Sequence, residues 1–391
     1  TGHGVTHWYN QGFIVLLAYI KEQLGLSAVA ADALVTARQL SGAVVNVPAG
    51  IVTDLFRSRW NLILALSLVW IGVSSALVGL APTYLLLLVT VALLGIGGTT
   101  WHMPAITALS QRFPDRKGFA LSTHGVGGNA GDALGPLAVG ALLLVFTWQG
   151  VLLSTAVLPV LLGLVVFLLL PGLAGGDGRQ RRDGEGMRSY LAGVVGIFRN
   201  RVLILLAVMA GVRSMAQSAL TPHLTFYLAE DLGVSAFLVG VYVSLLTALG
   251  IVSSPILGTL SDRVGRKPVL LVGMATLGVL SLALAVIPPG RALGLVIAVM
   301  GLVLDSLQAI VVAAAMDLAA AQAAATTVGL MFTGNRLFSA FSPLIAGVLV
   351  DATGANTTAF YYTGAMMLAA TLILVFMPLR KVPVPGATAR G

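Results

Sequence analysis

Twelve stretches of this chain, each about 20 residues long or longer, run with almost no charge, and that leaves few folds open to it. About 20 apolar residues let a helix cross the ~30 Å hydrocarbon core of a bilayer. Gly, Pro and clustered charges set the stretches at 4–24, 31–54, 60–80, 84–112, 117–147, 150–171, 199–229, 233–260, 268–288, 291–322, 325–350 and 357–379. A backbone in lipid must satisfy its own polar groups, so spans of this length are helices. The first continues into the multi-span pattern and reads as a membrane helix, not a cleaved leader. Of the 391 residues 58% are hydrophobic and 9% charged, against about a quarter charged in soluble chains. Fourteen acids and 22 bases cannot coat a soluble surface of this size, which excludes soluble enzymes and disordered scaffolds. Without cysteine, disulfides, thiolate catalysis and Cys-ligated metal centres are excluded as well.

Between the sixth and seventh stretches the chain is Gly-rich, basic and without apolar period from Gly172 to Ser189. It reads as a cytoplasmic linker over 172–198, joining a six-helix bundle at 1–171 to a second at 199–391 that ends in a short tail. Arg57, Arg59, Arg112, Arg116, Lys117, the linker bases, Arg263, Arg266 and Lys267 all fall on one set of loops, whereas the other set holds only Lys21 and Arg291. The positive-inside rule then puts both termini of the multi-pass chain in the cytoplasm. The net charge of +8 is accounted for by these orientation signals and by lipid headgroups, so no nucleic-acid partner is expected. A monomer in the bilayer is expected.

The third, sixth, ninth and twelfth spans carry no charge and no His. Ionisable residues at membrane depth fall on the others: His7, Arg38, His102, His124, Asp132, Arg213, Asp305, Asp317 and Arg336. A charge facing lipid costs at least about 2.5–3.5 kcal/mol, so every third helix is expected to face lipid while the other eight surround a polar cavity. A three-helix period repeated four times predicts an all-α membrane protein with twelve helices in two pseudo-symmetric bundles around a central cavity. That is the plan of a transporter built from nested repeats.

Gly258-Thr-Leu-Ser-Asp262-Arg-Val-Gly265-Arg266-Lys267 and the degraded copy Gly50-Ile-Val-Thr-Asp54-Leu-Phe-Arg57-Ser-Arg59 each lie between the second and third spans of a half. In this the chain resembles the major facilitator superfamily over essentially its whole length. The resemblance implies an inner gate, with Asp54, Arg59, Asp262, Arg266 and Lys267 latching the cytoplasmic side and the two Asp set against helices 11 and 5. The plain alternative is that they shape a turn. Gly131-Asp132-Ala-Leu-Gly135-Pro136 in the fifth span is similar to the Gly-x3-Gly-Pro motif of antiporters in that superfamily, which adds Gly135 and Pro136 to the gating set. Helix packing is the alternative there. Gly2-His3-x3-His7-x-Tyr9, Trp101-His102-Met-Pro104 and Gly125-Val-Gly-Gly128-Asn129 resemble the fosmidomycin resistance protein branch. His7 stands where that branch commonly has Asp. The branch implies export, and its namesake substrate is a phosphonate.

Arg cannot shed its proton, so Arg38, Arg213 and Arg336 need acids, carbonyls or an anionic ligand. With Asp132 and Asp305 as the mid-membrane acids, positive charge is in surplus. That suits a small anionic substrate gripped by the planar guanidinium fork. An Arg213–Asp305 ion pair is the structural alternative. Asp132, Asp305, His7, His102 and His124 are the candidates for carrying a coupling proton. Tyr9, Trp101, Asn129 and Asn335 are expected to line the cavity. His223 is expected to be interfacial, and Asp317 a gate or cap residue. His3 and His7 have metal-ligand spacing, but two His alone make a weak site, and no metal or cofactor is expected. No phosphate-binding Gly loop is present to support an ATP-driven pump, and an intramembrane enzyme would need a catalytic cluster of His and acids that the sequence does not show. The expected function is proton-coupled export of a small organic anion or toxic compound. Alternatives are carboxylate uptake, lipophilic drug efflux, and a membrane receptor without transport.

Overall fold

The computed structural model of the protein describes residues 2–170, 200–318 and 334–379, so the linker expected at 172–198 lies outside the described residues. Within them the chain is helical throughout. The first half contains α1 (Gly2–Leu24), α2 (Ala28–Leu55), α3 (Trp60–Gly79), α4 (Tyr84–Arg112), α5 (Lys117–Leu142) and α6, which runs as Trp148–Thr155 and Val157–Leu169. The second half contains α7 (Arg201–Phe226), α8 (Ala236–Val264), α9 (Arg266–Leu284), α10 as Arg291–Leu304 and Ser306–Leu318, α11 (Gly334–Thr353) and α12 (Thr358–Phe376). Ten of these are long and apolar enough to cross a membrane. The two below that level, α1 and α5, have the length at 23 and 26 residues but carry His3, His7, His124 and Asp132.

Side-chain caps set several helix starts. Ser27, Thr83 and Thr147 accept the N–H of Ala30, Leu86 and Gly150, each meeting one of the unpaired donors of a first turn. Prolines interrupt the interiors of α2, α4, α5, α7 and α8 at Pro48, Pro104, Pro136, Pro222 and Pro255, each removing one ladder hydrogen bond.

Glycines fix how closely the helices approach. On α5, a Cβ at Gly131 would collide with the carbonyl of Gly4, and one at Gly135 would lie 2.6 Å from the Trp8 carbonyl. Helix α1 therefore lies in a groove of bare backbone along α5. The helices whose apolar spans carry no charge pair with one another, α3 with both pieces of α6 and α9 with α12. Glycines again permit the contact: Gly72 faces the Ala156 carbonyl, and Gly364 faces Leu282 and the Gly278 carbonyl. These helices expose large apolar side chains, among them Leu66, Val73, Leu164, Leu168, Val272 and Leu372, as a lipid-facing surface requires.

The chain divides into two compact units. One joins the first six helices to 221–248 and 343–356, the ends of α7, α8 and α11. The other holds the remainder of the second half. The first unit is larger than the N-terminal half because those ends pack on α1, α2 and α5. Gly140 and Gly240 meet with each other's backbone in the way, Gly240 directly over the Pro136 carbonyl. Gly347 sits on Ala28 and Asp32. The glycines and proline of the antiporter-like motif thus occupy helix contacts, Gly135 on α1 and Pro136 on α8.

Candidate functional site

Polar side chains gather in two clusters, one in each unit. In the first, α1, α4 and α5 bring four imidazoles together. His3 stacks on His124 with ring centroids 3.9 Å apart and planes 4° from parallel. His7 and His102 stand edge-on to His3 at 4.5 and 5.0 Å. The Nδ1 of His7 lies 2.8 Å from Asp132 Oδ2. Asp132 Oδ1 is buried without a hydrogen-bond partner, and the two side chains keep 26% and 21% exposure. The backbone carbonyl of Asp132 accepts the hydroxyl of Thr247 on α8. The sequence-predicted acid and three of the predicted imidazoles therefore converge, and His3 joins them.

The other first-half candidates are placed differently. Arg38 is buried, donates to the Asn10 carbonyl at 2.9 Å and lies 4.7 Å from the Phe13 ring centroid, so it ties α2 to α1. Tyr9 is buried and donates to the Thr155 carbonyl. It lines a small apolar pocket with Trp8, Phe13, Leu94 and Val151. Trp101 packs in the core with Leu64, Leu68 and Ala105, its ring filling the space beside Gly2. Asn129 is exposed. Arg59 is exposed in a short 3-10 turn at 57–59, and the side chain of Asp54 lies outside what is described.

The second cluster centres on Arg213 of α7, which is 1% exposed. Its guanidinium donates to Gln217 Oε1 at 3.0 Å, to Gln308 Oε1, and to the Leu304 carbonyl at 3.5 Å. That carbonyl stands at the break in α10 before Asp305. Gln217 in turn donates to Asp305 Oδ1 at 3.1 Å. The direct Arg213–Asp305 ion pair considered from sequence is replaced by an amide relay. Gln217 and Gln308 were missed by sequence reasoning, although one lies a helical turn beyond Arg213 and the other three residues beyond Asp305. On α11, Arg336 is exposed and Asn335 is buried with its amide nitrogen unpartnered.

The motif between α8 and α9 is held within its own unit. Arg266 pairs with Asp262 and, at 3.1 Å, with Asp317. Lys267 donates to the carbonyls of Val375 and Met377 at the end of α12, a helix C-terminus that favours a cation. Within that unit the ion-pair partner of Asp262 is Arg266, one turn away.

A further set of polar contacts joins the ends poor in Lys and Arg within the first unit. His223 Nε2 lies 3.0 Å from Asp32 Oδ2, both side chains at 0% exposure. This corrects the expectation that His223 is interfacial: the α7 end is packed on α2. Nearby, Asp351 accepts the N–H groups of Ala28 and Val29, Lys21 pairs with Glu230, and Asn356 donates to Glu230 and Asp231.

The profile of the Major Facilitator Superfamily matches residues 2–337 and 206–391. The chain belongs to that superfamily. It is therefore a multi-pass membrane transporter of small molecules, not an enzyme. Among curated relatives, an uncharacterised transporter of this superfamily from Bacillus subtilis, YfnC, is 25% identical over 74% of this chain and 71% of its own length. The multidrug resistance protein MdtG of Escherichia coli is 30% identical over 56% of this chain and 53% of its own. The transporter thus spans about half the length of its MdtG relatives. Solved structures with the same fold include a mutant of the nucleoside transporter NupG, with TM-score 0.80 and 12% identity over 96% of this chain and 98% of that one. A bacterial homologue of the human lysosomal transporter Spinster gives 0.77 at 15% identity over 96% and 92%, and a D-xylose–proton symporter 0.75 at 14% over 96% and 96%. In these neighbours twelve helices form two bundles, and the same twelve-helix fold is present here.

Proposed function

We propose that the transporter works by alternating access and exports a small organic anion in exchange for protons. The halves 1–171 and 199–391 move against each other in a bacterial inner membrane, with both termini cytoplasmic and the chain monomeric. The observation that carries the anion is Arg213. Its permanent charge is buried, yet its donors meet neutral amides and a carbonyl, and the acid stands one amide further away. That charge is only partly compensated, and Arg336 adds a second one on α11. Asp132, held by His7 through one oxygen and with its other oxygen unpartnered, carries the exchanged proton. Export rather than uptake is supported by the resemblance to the fosmidomycin resistance branch and by relatives named for multidrug resistance. The motif around Asp54 and Asp262 serves as the inner gate.

One observation favours uptake as a second reading. Because Asp305 reaches Arg213 through Gln217, protonating Asp305 would free Arg213 for an anion, so that anion and proton bind together. The test is flux of a labelled phosphonate in proteoliposomes of known orientation. Acidification of the face opposite the cytoplasmic loops should drive phosphonate out toward that face. Movement in the direction of the proton would establish uptake instead. No phosphonate flux, with transport of a lipophilic dye, would overturn the anion reading.

A further inference from the structure

We propose that His3, His102 and His124 form a binding site for one divalent first-row transition-metal ion of the kind imidazole prefers, Zn²⁺, Ni²⁺, Co²⁺ or Cu²⁺. Among the described residues this is where three metal-ligating side chains converge, their ligand atoms all within 4.8 Å of one another. Tetrahedral ligands about 2.0–2.1 Å from zinc stand roughly 3.3 Å apart. Coordination requires the His3 and His124 rings, stacked with their planes 4° apart, to swing out of parallel so that both lone pairs meet one ion.

The His3 ring is already in the ligand tautomer. His3 Nδ1 lies 2.7 Å from the backbone carbonyl of His124. A carbonyl only accepts, so Nδ1 carries the hydrogen and Nε2 presents its lone pair. A ligating His ordinarily donates its other nitrogen to a carbonyl or carboxylate in this manner, which fixes ring and tautomer. On the second ring, His124 Nε2 is buried with no hydrogen-bond partner, a donor atom whose environment lacks only something to bind. Backbone packing holds the cluster in place. A Cβ at Gly128 would come 2.6 Å from His3 Cε1, so only glycine leaves room for that imidazole.

The charge balance also suits a dication. His7 stands edge-on to His3 and His102, and Asp132 sits on its far nitrogen, so a carboxylate lies just beyond the three ligands. Three ligands leave one tetrahedral position for water or for an oxygen of the transported molecule. The i, i+4 spacing of His3 and His7 is the visible sequence signal, but the structure pairs His3 with the imidazoles of α4 and α5.

The full chain, purified without a histidine tag, is titrated with Zn²⁺ against a chromogenic chelator and with Co²⁺ by visible absorption. One equivalent should bind, with the intense Co²⁺ bands of a tetrahedral site. His3→Gln, His102→Gln and His124→Gln should each weaken Zn²⁺ binding at least about 100-fold. His7→Gln should weaken it less than any of these three, within the roughly 10–100-fold of a second-shell change. X-ray absorption at the zinc edge on the unmodified protein, which needs no variant to fold, should show three imidazoles in the first shell. A first shell with fewer than three imidazoles, no stoichiometric binding at 100 µM metal (about −5.5 kcal/mol), or undiminished binding in the three variants would overturn the proposal.

Discussion

The Asp32–His223 contact is expected to be the latch of the end poor in Lys and Arg, and Asp32→Asn tests it. Both side chains are at 0% exposure with Nε2 and Oδ2 3.0 Å apart, and no polar atom of either has a hydrogen-bond partner. If the pair is ionised, two unit charges at that distance attract by roughly 5–6 kcal/mol at an effective dielectric of about 20. Desolvation offsets most of this, but removing one partner strands the other, at a cost of about 3–5 kcal/mol. If α7 and α2 meet only when this end is closed, the closed-to-open ratio should fall between about a hundred- and several-thousand-fold. The chain has no cysteine, so Val35→Cys supplies a single label: Val35 is fully buried and lies one turn from Asp32 on α2. Its reaction with an impermeant maleimide should accelerate sharply in Asp32→Asn and in His223→Gln. Asp32→Asn with His223→Gln removes both ionisable groups and leaves two amides able to bond each other, so it should lose at least about 1 kcal/mol less than the sum of the singles. Equal labelling rates in all four backgrounds would refute the latch and leave the pair as packing.

Gly347→Ala should open the same end by a different route, since the new methyl collides with Asp32 and the Ala28 backbone; a cost of about 1–3 kcal/mol is expected, read by the same label. Gly131→Ala should lower thermal stability by a comparable amount by pushing α1 off α5, whereas Gly50→Ala, which faces open space, should not. Arg213→Lys should weaken phosphonate binding about ten- to a hundred-fold by equilibrium dialysis, because a point charge cannot reproduce the fork. Asp132→Asn should leave binding intact and abolish the pH dependence of flux; a preserved pH profile would move the coupling proton elsewhere.

The number of spans, the apolar character of every third helix and the membership of Arg213 and Asp305 in one half were legible in the sequence. Transfer into lipid is a local property that adds up over about 20 residues, so a linear reading captures it. Partner identity was not legible. His3 stacks on His124 and His223 pairs with Asp32 across long separations in the chain. Arg213 takes neutral amides, where the alternative read from the sequence was an ion pair with Asp305. Such choices depend on the rotation and axial offset of each helix against its neighbour. Those are set where Gly131 admits the Gly4 carbonyl and Gly347 admits Asp32, by a steric fit between two surfaces that neither helix's own composition contains.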